Sequence, residues 1–175
     1  MSSHEGCTCG RDHSQPGLAA WFTDGHRACD DLWSEVERLA ESGQQAELER
    51  AVARFCAATR GHLDVEEQLL FPRVEAATGM HGHGPTVIMR SEHRQMRGLL
   101  DQVEVAARAG NSDEVLNLGD TLLMFTQQHN STEEQVLYPL SARVLSQQWP
   151  EMTATRPEIS CPRHSGSGLR VRTPS

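Results

Sequence analysis

The chain has 175 residues, a formal net charge of −8 and a sequence pI near 5.5. That length makes a single domain with room for a real core, and the acidic balance argues against non-specific nucleic-acid binding or attraction to anionic membranes. The apolar stretches are too short to span a bilayer, and the N-terminal residues show no basic segment followed by an apolar run, so a soluble cytoplasmic protein is the expectation.

Residues 1–16 are rich in Gly, Ser, His and Cys and are expected to form a flexible tail. Pro16 stands where a helix can begin. The first predicted helix covers about 18–41, with an inner stripe of Ala19, Phe22, His26, Cys29, Trp33, Val36 and Ala40, and Ser42-Gly43 ends it. The second covers about 44–77, with Leu48, Val52, Phe55, Thr59, His62, Glu66 and Leu69 inward, and Pro72 is expected to kink or interrupt it. A Gly-rich loop over 78–85 follows, in which His81 and His83 read as solvated. The third helix runs over about 86–109 with Met89, His93, Met96, Leu100 and Val103 inward. The fourth runs over about 113–147, with Ser112 as N-cap, Leu116, Gly119, Leu122, Thr126, His129, Glu133, Val136 and Leu140 inward, and a second kink at Pro139. Residues 148–175 read as a flexible C-terminal tail.

Each stripe repeats near 3.6 residues and nothing reads as a strand. The fold class expected over residues 17–147 is all-α, an up-down-up-down antiparallel four-helix bundle. Of the five cysteines, Cys29 and Cys56 fall inside helical patterns and are expected to be reduced core residues. Cys7, Cys9 and Cys161 fall in the tails, where a metal clip with His4, His13 or His164, a redox pair and plain disorder all stay open.

A repeat organises the chain. His62-Leu-Asp-Val-Glu66-Glu67-Gln-Leu-Leu-Phe71-Pro72 returns 67 residues later as His129-Asn-Ser-Thr-Glu133-Glu134-Gln-Val-Leu-Tyr138-Pro139, and His26 returns as His93 at the same offset. Within each motif His and Glu lie at i and i+4, one helical turn apart on one face. All six of these residues lie on apolar stripes. A buried carboxylate without a partner is very unfavourable, whereas cations compensate carboxylates and accept neutral imidazole as ligand. A core histidine held by a hydrogen bond explains one such residue but not six at a fixed offset. His26, His62, Glu66, His93, His129 and Glu133 are therefore the expected ligands of a two-metal site, and the mixed N/O set suits iron or manganese better than zinc. Glu67 and Glu134 stand about 100° round their helices and are expected to tune the site from behind the ligands.

The six-residue pattern, together with the stretch from Gly84-Pro85 to Glu92-His93, resembles the hemerythrin family's HHE cation-binding domain over about residues 17–147. The resemblance implies a non-haem di-iron centre in an antiparallel four-helix bundle with an internal pseudo-twofold repeat. It implies that Glu66 and Glu133 bridge two iron ions, with an oxo or hydroxo group, and that the four histidines are terminal ligands. Oxygen-carrying members have a further histidine one turn after the third-helix histidine, where this chain has Arg97, and typically Asp at the position of Glu133. Arg97 and its repeat equivalent Asp30 are thus candidate tuning residues. An inward Arg97 would need Asp30, Glu66 or Glu133 as partner, and the alternative is an Arg97 that snorkels outward.

The function expected is a small di-iron protein whose ligand is a diatomic molecule or peroxide, binding or reacting with O2, peroxide or NO in sensing or stress protection rather than in oxygen transport. The alternatives are a non-enzymatic iron-binding, iron-sensing or storage module, and an iron-centre repair factor. No arrangement for other catalysis is visible, and no protein partner is indicated.

Overall fold

The computed structural model describes residues 17–154. The expected N-terminal tail over 1–16 and residues 155–175 of the expected C-terminal tail, with Cys7, Cys9 and Cys161, lie outside the described residues. Among the described residues the protein is all helical, with no strand. None of these helices is long and apolar enough to cross a membrane.

Helix α1 spans Leu18–Glu41 and α2 spans Gln45–Val65. A π-helical turn, Glu66–Leu70, carries the chain directly into α3, Phe71–Thr78. After the Gly-rich loop come α4, Pro85–Arg108, and α5, Ser112–Thr132. A second π-helical turn, Glu133–Leu137, leads into α6, Tyr138–Val144, and a short α7 covers Trp149–Ala154. Helix α1 packs on α2, α2 on α4, α4 on α5, and α5 and α6 return to α1.

The two prolines act differently from expectation. Neither Pro72 nor Pro139 breaks its helix. Each sits near the start of a new α-helix, where its missing N–H has no partner to lose. The backbone adjustment comes earlier, as a widened turn in which the amides of Phe71 and Tyr138 donate to the carbonyls of Glu66 and Glu133. The wide turn inserts one residue into the helical count and rotates everything after it. Val136, expected inward, is 53% exposed, while Leu137 and Tyr138 are fully buried.

Other differences are local. The N-cap of α5 is Asn111, whose side chain accepts from the Glu114 amide, not Ser112. The fourth helical stretch ends at Val144 rather than 147, and the segment from 148 is not all tail. Trp149 and Met152 of α7 are buried against Leu18, Phe22 and Leu145.

Two apolar clusters flank one polar layer. Trp33, Val36, Leu48, Phe55, Leu100 and Leu122 belong to one cluster, and Phe22, Leu70, Phe71, Met89, Tyr138 and Trp149 to the other. Residues 26, 62–66, 93 and 129–133 fall between them along every long helix. Cys29 is half-buried, and Cys56 is a buried free thiol that burial pushes up to about 12. His81 and His83 are exposed in the loop.

Candidate metal centre

The helices bring all six repeated residues into the polar layer. Glu66 and Glu133 are fully buried, as is His93, and His26, His62 and His129 are nearly so. Their donor atoms form two groups sharing the carboxylates: His26, His62, Glu66 and Glu133, and then Glu66, His93, His129 and Glu133. Within each group the atoms lie within 4.8 Å of one another.

Each carboxylate faces both groups. Oε1 of Glu66 lies 3.5 Å from His62 Nε2, and its Oε2 lies 3.5 Å from His93 Nε2. Oε2 of Glu133 lies 3.3 Å from His26 Nε2, and its Oε1 lies 3.4 Å from His129 Nε2. The π turns place the two glutamates. Each widened turn starts at the glutamate itself, and such turns recur at functional sites.

Surrounding carboxylates fix the rings. His26 Nδ1 meets Glu134 at 2.9 Å, His93 Nδ1 meets Glu67 at 2.9 Å, and His129 Nδ1 meets Glu92 at 2.7 Å. A neutral ring that donates from Nδ1 presents a lone pair at Nε2. Nε2 of His93 and Nε2 of His129 stand 3.1 Å apart. Two lone pairs converging at that distance call for a cation or a proton between them. In the metal-free chain a proton serves. Burial opposes a charge on His129, but Glu133, Glu92 and Glu66 outweigh it and push the ring up to about 9. His26 is raised by the same contest between burial and Glu133, Glu66 and Glu134. Burial and the neighbouring His129 lower His93. Burial would raise Glu133, but His129 and His26 hold it far below the ordinary carboxylate range.

The donor set passes a direct test of fit. Among the described residues, the buried Glu66 Oε2 and Glu133 Oε1 accept no hydrogen bond, with His93 Nε2 at 3.5 Å from the first and His129 Nε2 at 3.4 Å from the second. A buried carboxylate oxygen left so is unfavourable, and a cation held with His93 and His129 removes the penalty. The nitrogen and oxygen donors match iron or manganese.

The repeat is broken at three places around this layer. Position 25 corresponds to 92, and there Gly25 stands where Glu92 stands in the other half. Among the described residues no carboxylate reaches His62 Nδ1. A Cβ on Gly25 would lie 2.6 Å from that atom, so glycine makes room for the ring. Position 71 corresponds to 138, and Phe71 answers Tyr138. The Tyr138 hydroxyl reaches Glu133 Oε2 at 2.9 Å, His26 Nε2 at 3.0 Å and Glu66 Oε1. Burial and both carboxylates raise its pKa well above the ordinary phenol value.

Position 30 corresponds to 97, and Arg97 pairs outward, away from the six residues of the candidate centre. Its guanidinium is 27% exposed and donates to Asp64 at 2.9 Å and Glu67 at 3.4 Å. None of its expected partners Asp30, Glu66 and Glu133 is used, because outward carboxylates on α2 satisfy it nearer solvent. Arg97 therefore touches the layer only through Glu67. Asp30 is exposed and makes no hydrogen bond to any of the six. It lines both a surface groove of about 410 Å³ and an inner cavity of about 20 Å³ whose walls include His26, His62, Met96 and Thr126.

Sequence reasoning missed Glu92, Gly25 and Tyr138. At the offset of 67 Glu92 answers Gly25 and Tyr138 answers Phe71, beside residues that the two halves share.

Comparison with known families gives one match. The family described as the hemerythrin HHE cation binding domain matches residues 18–141. No curated protein and no solved structure matches.

Proposed function

The chain belongs to the hemerythrin HHE cation-binding family, and on that footing we propose that it is a di-iron protein that reacts with O2, peroxide or NO in sensing or stress protection. His26, His62, Glu66 and Glu133 would hold one ion, and His93, His129 and the same two glutamates would hold the other. The observation that carries this reading is the pair of buried, hydrogen-bond-free oxygens on Glu66 and Glu133, facing the converging nitrogens of His93 and His129.

The wider frame is part of the proposal. Helix α1, α2 with α3, α4, and α5 with α6 pack in a ring, which supports an up-down-up-down antiparallel four-helix bundle with a pseudo-twofold relation between halves. The buried free thiol of Cys56 fits a reducing, cytoplasmic setting.

Bound iron supplies the electrons for reducing a small oxidant. The chain supplies the rest. Glu67, Glu92 and Glu134 hold three imidazoles in the tautomer that offers Nε2. The two apolar clusters limit water around the layer. The cavity of about 20 Å³ beside His26 and His62 has room for a diatomic molecule but not for an organic substrate. It shares Asp30, Thr126 and Asn130 with the outer groove, so small molecules have a short route inward.

Stopped-flow spectra of the reduced, iron-loaded protein mixed with O2, H2O2 and NO test the proposal. The expected result is rapid spectral change with at least one of them. Iron retention with no change on any of the three contradicts a reactive centre and leaves an iron-holding module.

A further inference from the structure

Two aromatic rings stand in matching places on either side of the candidate centre. The rings of Tyr138 and His26 have centroids 5.6 Å apart and an interplanar angle of 29°. Those of Phe71 and His93 are 5.5 Å apart at 30°. Both pairs are related by the same offset, since 138 − 71 and 93 − 26 each equal 67. The backbone reason is also shared, because each aromatic residue follows directly on a π turn that swings it inward. The one chemical difference is the hydroxyl.

That hydroxyl is placed against every donor atom of one pocket. Tyr138 Oη lies 3.0 Å from His26 Nε2, 3.4 Å from His62 Nε2 and 2.9 Å from Glu133 Oε2, and it also meets Glu66 Oε1. Neighbouring donors around a cation with bonds of about 2.1 Å stand about 3 Å from one another. An atom in the cation's own place would lie about 2 Å from each donor. The phenol oxygen has the spacing of one more donor in the set. Around the other pocket the Phe71 ring offers no such atom, and the orphaned oxygens of Glu66 and Glu133 are the ones on that side.

We propose that Tyr138 is a fifth protein donor to the pocket of His26 and His62, binding through Oη with release of the phenolic proton, and that Phe71 leaves the pocket of His93 and His129 with four. The two metal positions are then inequivalent, the first having one protein donor more than the second. The inference deepens the two-iron reading and rests on it. Its consequence is chemical: a phenolate favours the ferric state on one side only.

The test uses the full chain loaded with ferric iron, with iron per chain measured beside visible absorption and resonance Raman spectra. The wild-type protein is expected to show a phenolate-to-iron charge-transfer band with phenolate ring modes. Tyr138→Phe should lose the band while keeping most of its iron, and Phe71→Tyr with Tyr138→Phe should bring a band back. Two irons per chain without a phenolate band, or a band unchanged in Tyr138→Phe, overturns the assignment of Tyr138 and leaves a hydrogen-bonding role. A chain that takes up no iron overturns the two-iron reading itself.

Discussion

A Cβ placed on Gly25 would stand 2.6 Å from Nδ1 of His62, in the half of the chain where the other half uses Glu92 to hold His129. One position thus serves two opposite ends, making room for a ring in one half and gripping it in the other. Gly25→Ala is expected to displace His62 and to destabilise the protein by roughly 1–3 kcal/mol, the usual range for overpacking. Thermal melts of the metal-free and iron-loaded protein check this. Iron content should fall as well, and a variant with unchanged melting and unchanged iron contradicts the role given to Gly25.

The carboxylates behind the rings should matter more than the nearby arginine. Glu92→Gln and Glu67→Gln are expected to weaken metal binding by roughly 10–100-fold, the usual scale for groups that orient a ligand. Arg97→Met removes a partly exposed ion pair, worth about 0–1 kcal/mol, and should change metal affinity only a few-fold. Competition with a chromogenic chelator measures all three. An Arg97 variant that loses metal as severely as Glu92→Gln would return Arg97 to the centre.

Gly119 supplies a control remote from the metals. A Cβ there would lie 1.9 Å from Cζ2 of Trp33, deep in the apolar cluster that includes Phe55 and Leu122. Gly119→Ala should cost about 1–3 kcal/mol by overpacking. Denaturant unfolding measures the loss, and the folded fraction should still bind iron in wild-type proportion.

Protonation gives a test with a definite sign. His129 is raised from 6.5 to about 9 in the metal-free chain. A raised pKa contributes stability that is fully present below the unfolded value and is lost as pH rises through the folded one. The metal-free protein should therefore lose stability between about pH 6.5 and 9. Ligation needs the same nitrogen unprotonated, so metal uptake near neutral pH should release protons. Melting curves across that window, and pH-stat titration with metal, report the two effects. Stability rising over the window contradicts the assignment.

Much of this arrangement was legible in the sequence, and the illegible part has a physical cause. Helix α1 was readable because its stripe runs uninterrupted from Leu18 to Glu41. His and Glu at i and i+4 on apolar stripes selected four residues, and the offset of 67 that joins His26 to His93 added the other two that the fold gathers. The π turns were not readable, since a residue inserted into the helical count leaves composition and spacing untouched. That insertion accounts for the inward Phe71 and Tyr138, whereas Val136 is exposed although Leu69, at the same place in the first π turn, is buried. Arg97 had two readings, because its position on the helix points inward but a long side chain can leave its stripe, and it takes the outward one through Asp64.

The central claim is that two cations share Glu66 and Glu133, and metal stoichiometry tests it most directly. Protein loaded anaerobically with ferrous iron and freed of excess should retain close to two irons per chain. Glu133→Ala should lose both, since each pocket draws an oxygen from that carboxylate, whereas His62→Ala should lose one more readily than the other. A wild-type chain that retains no iron, or a Glu133→Ala variant that retains two, contradicts the account.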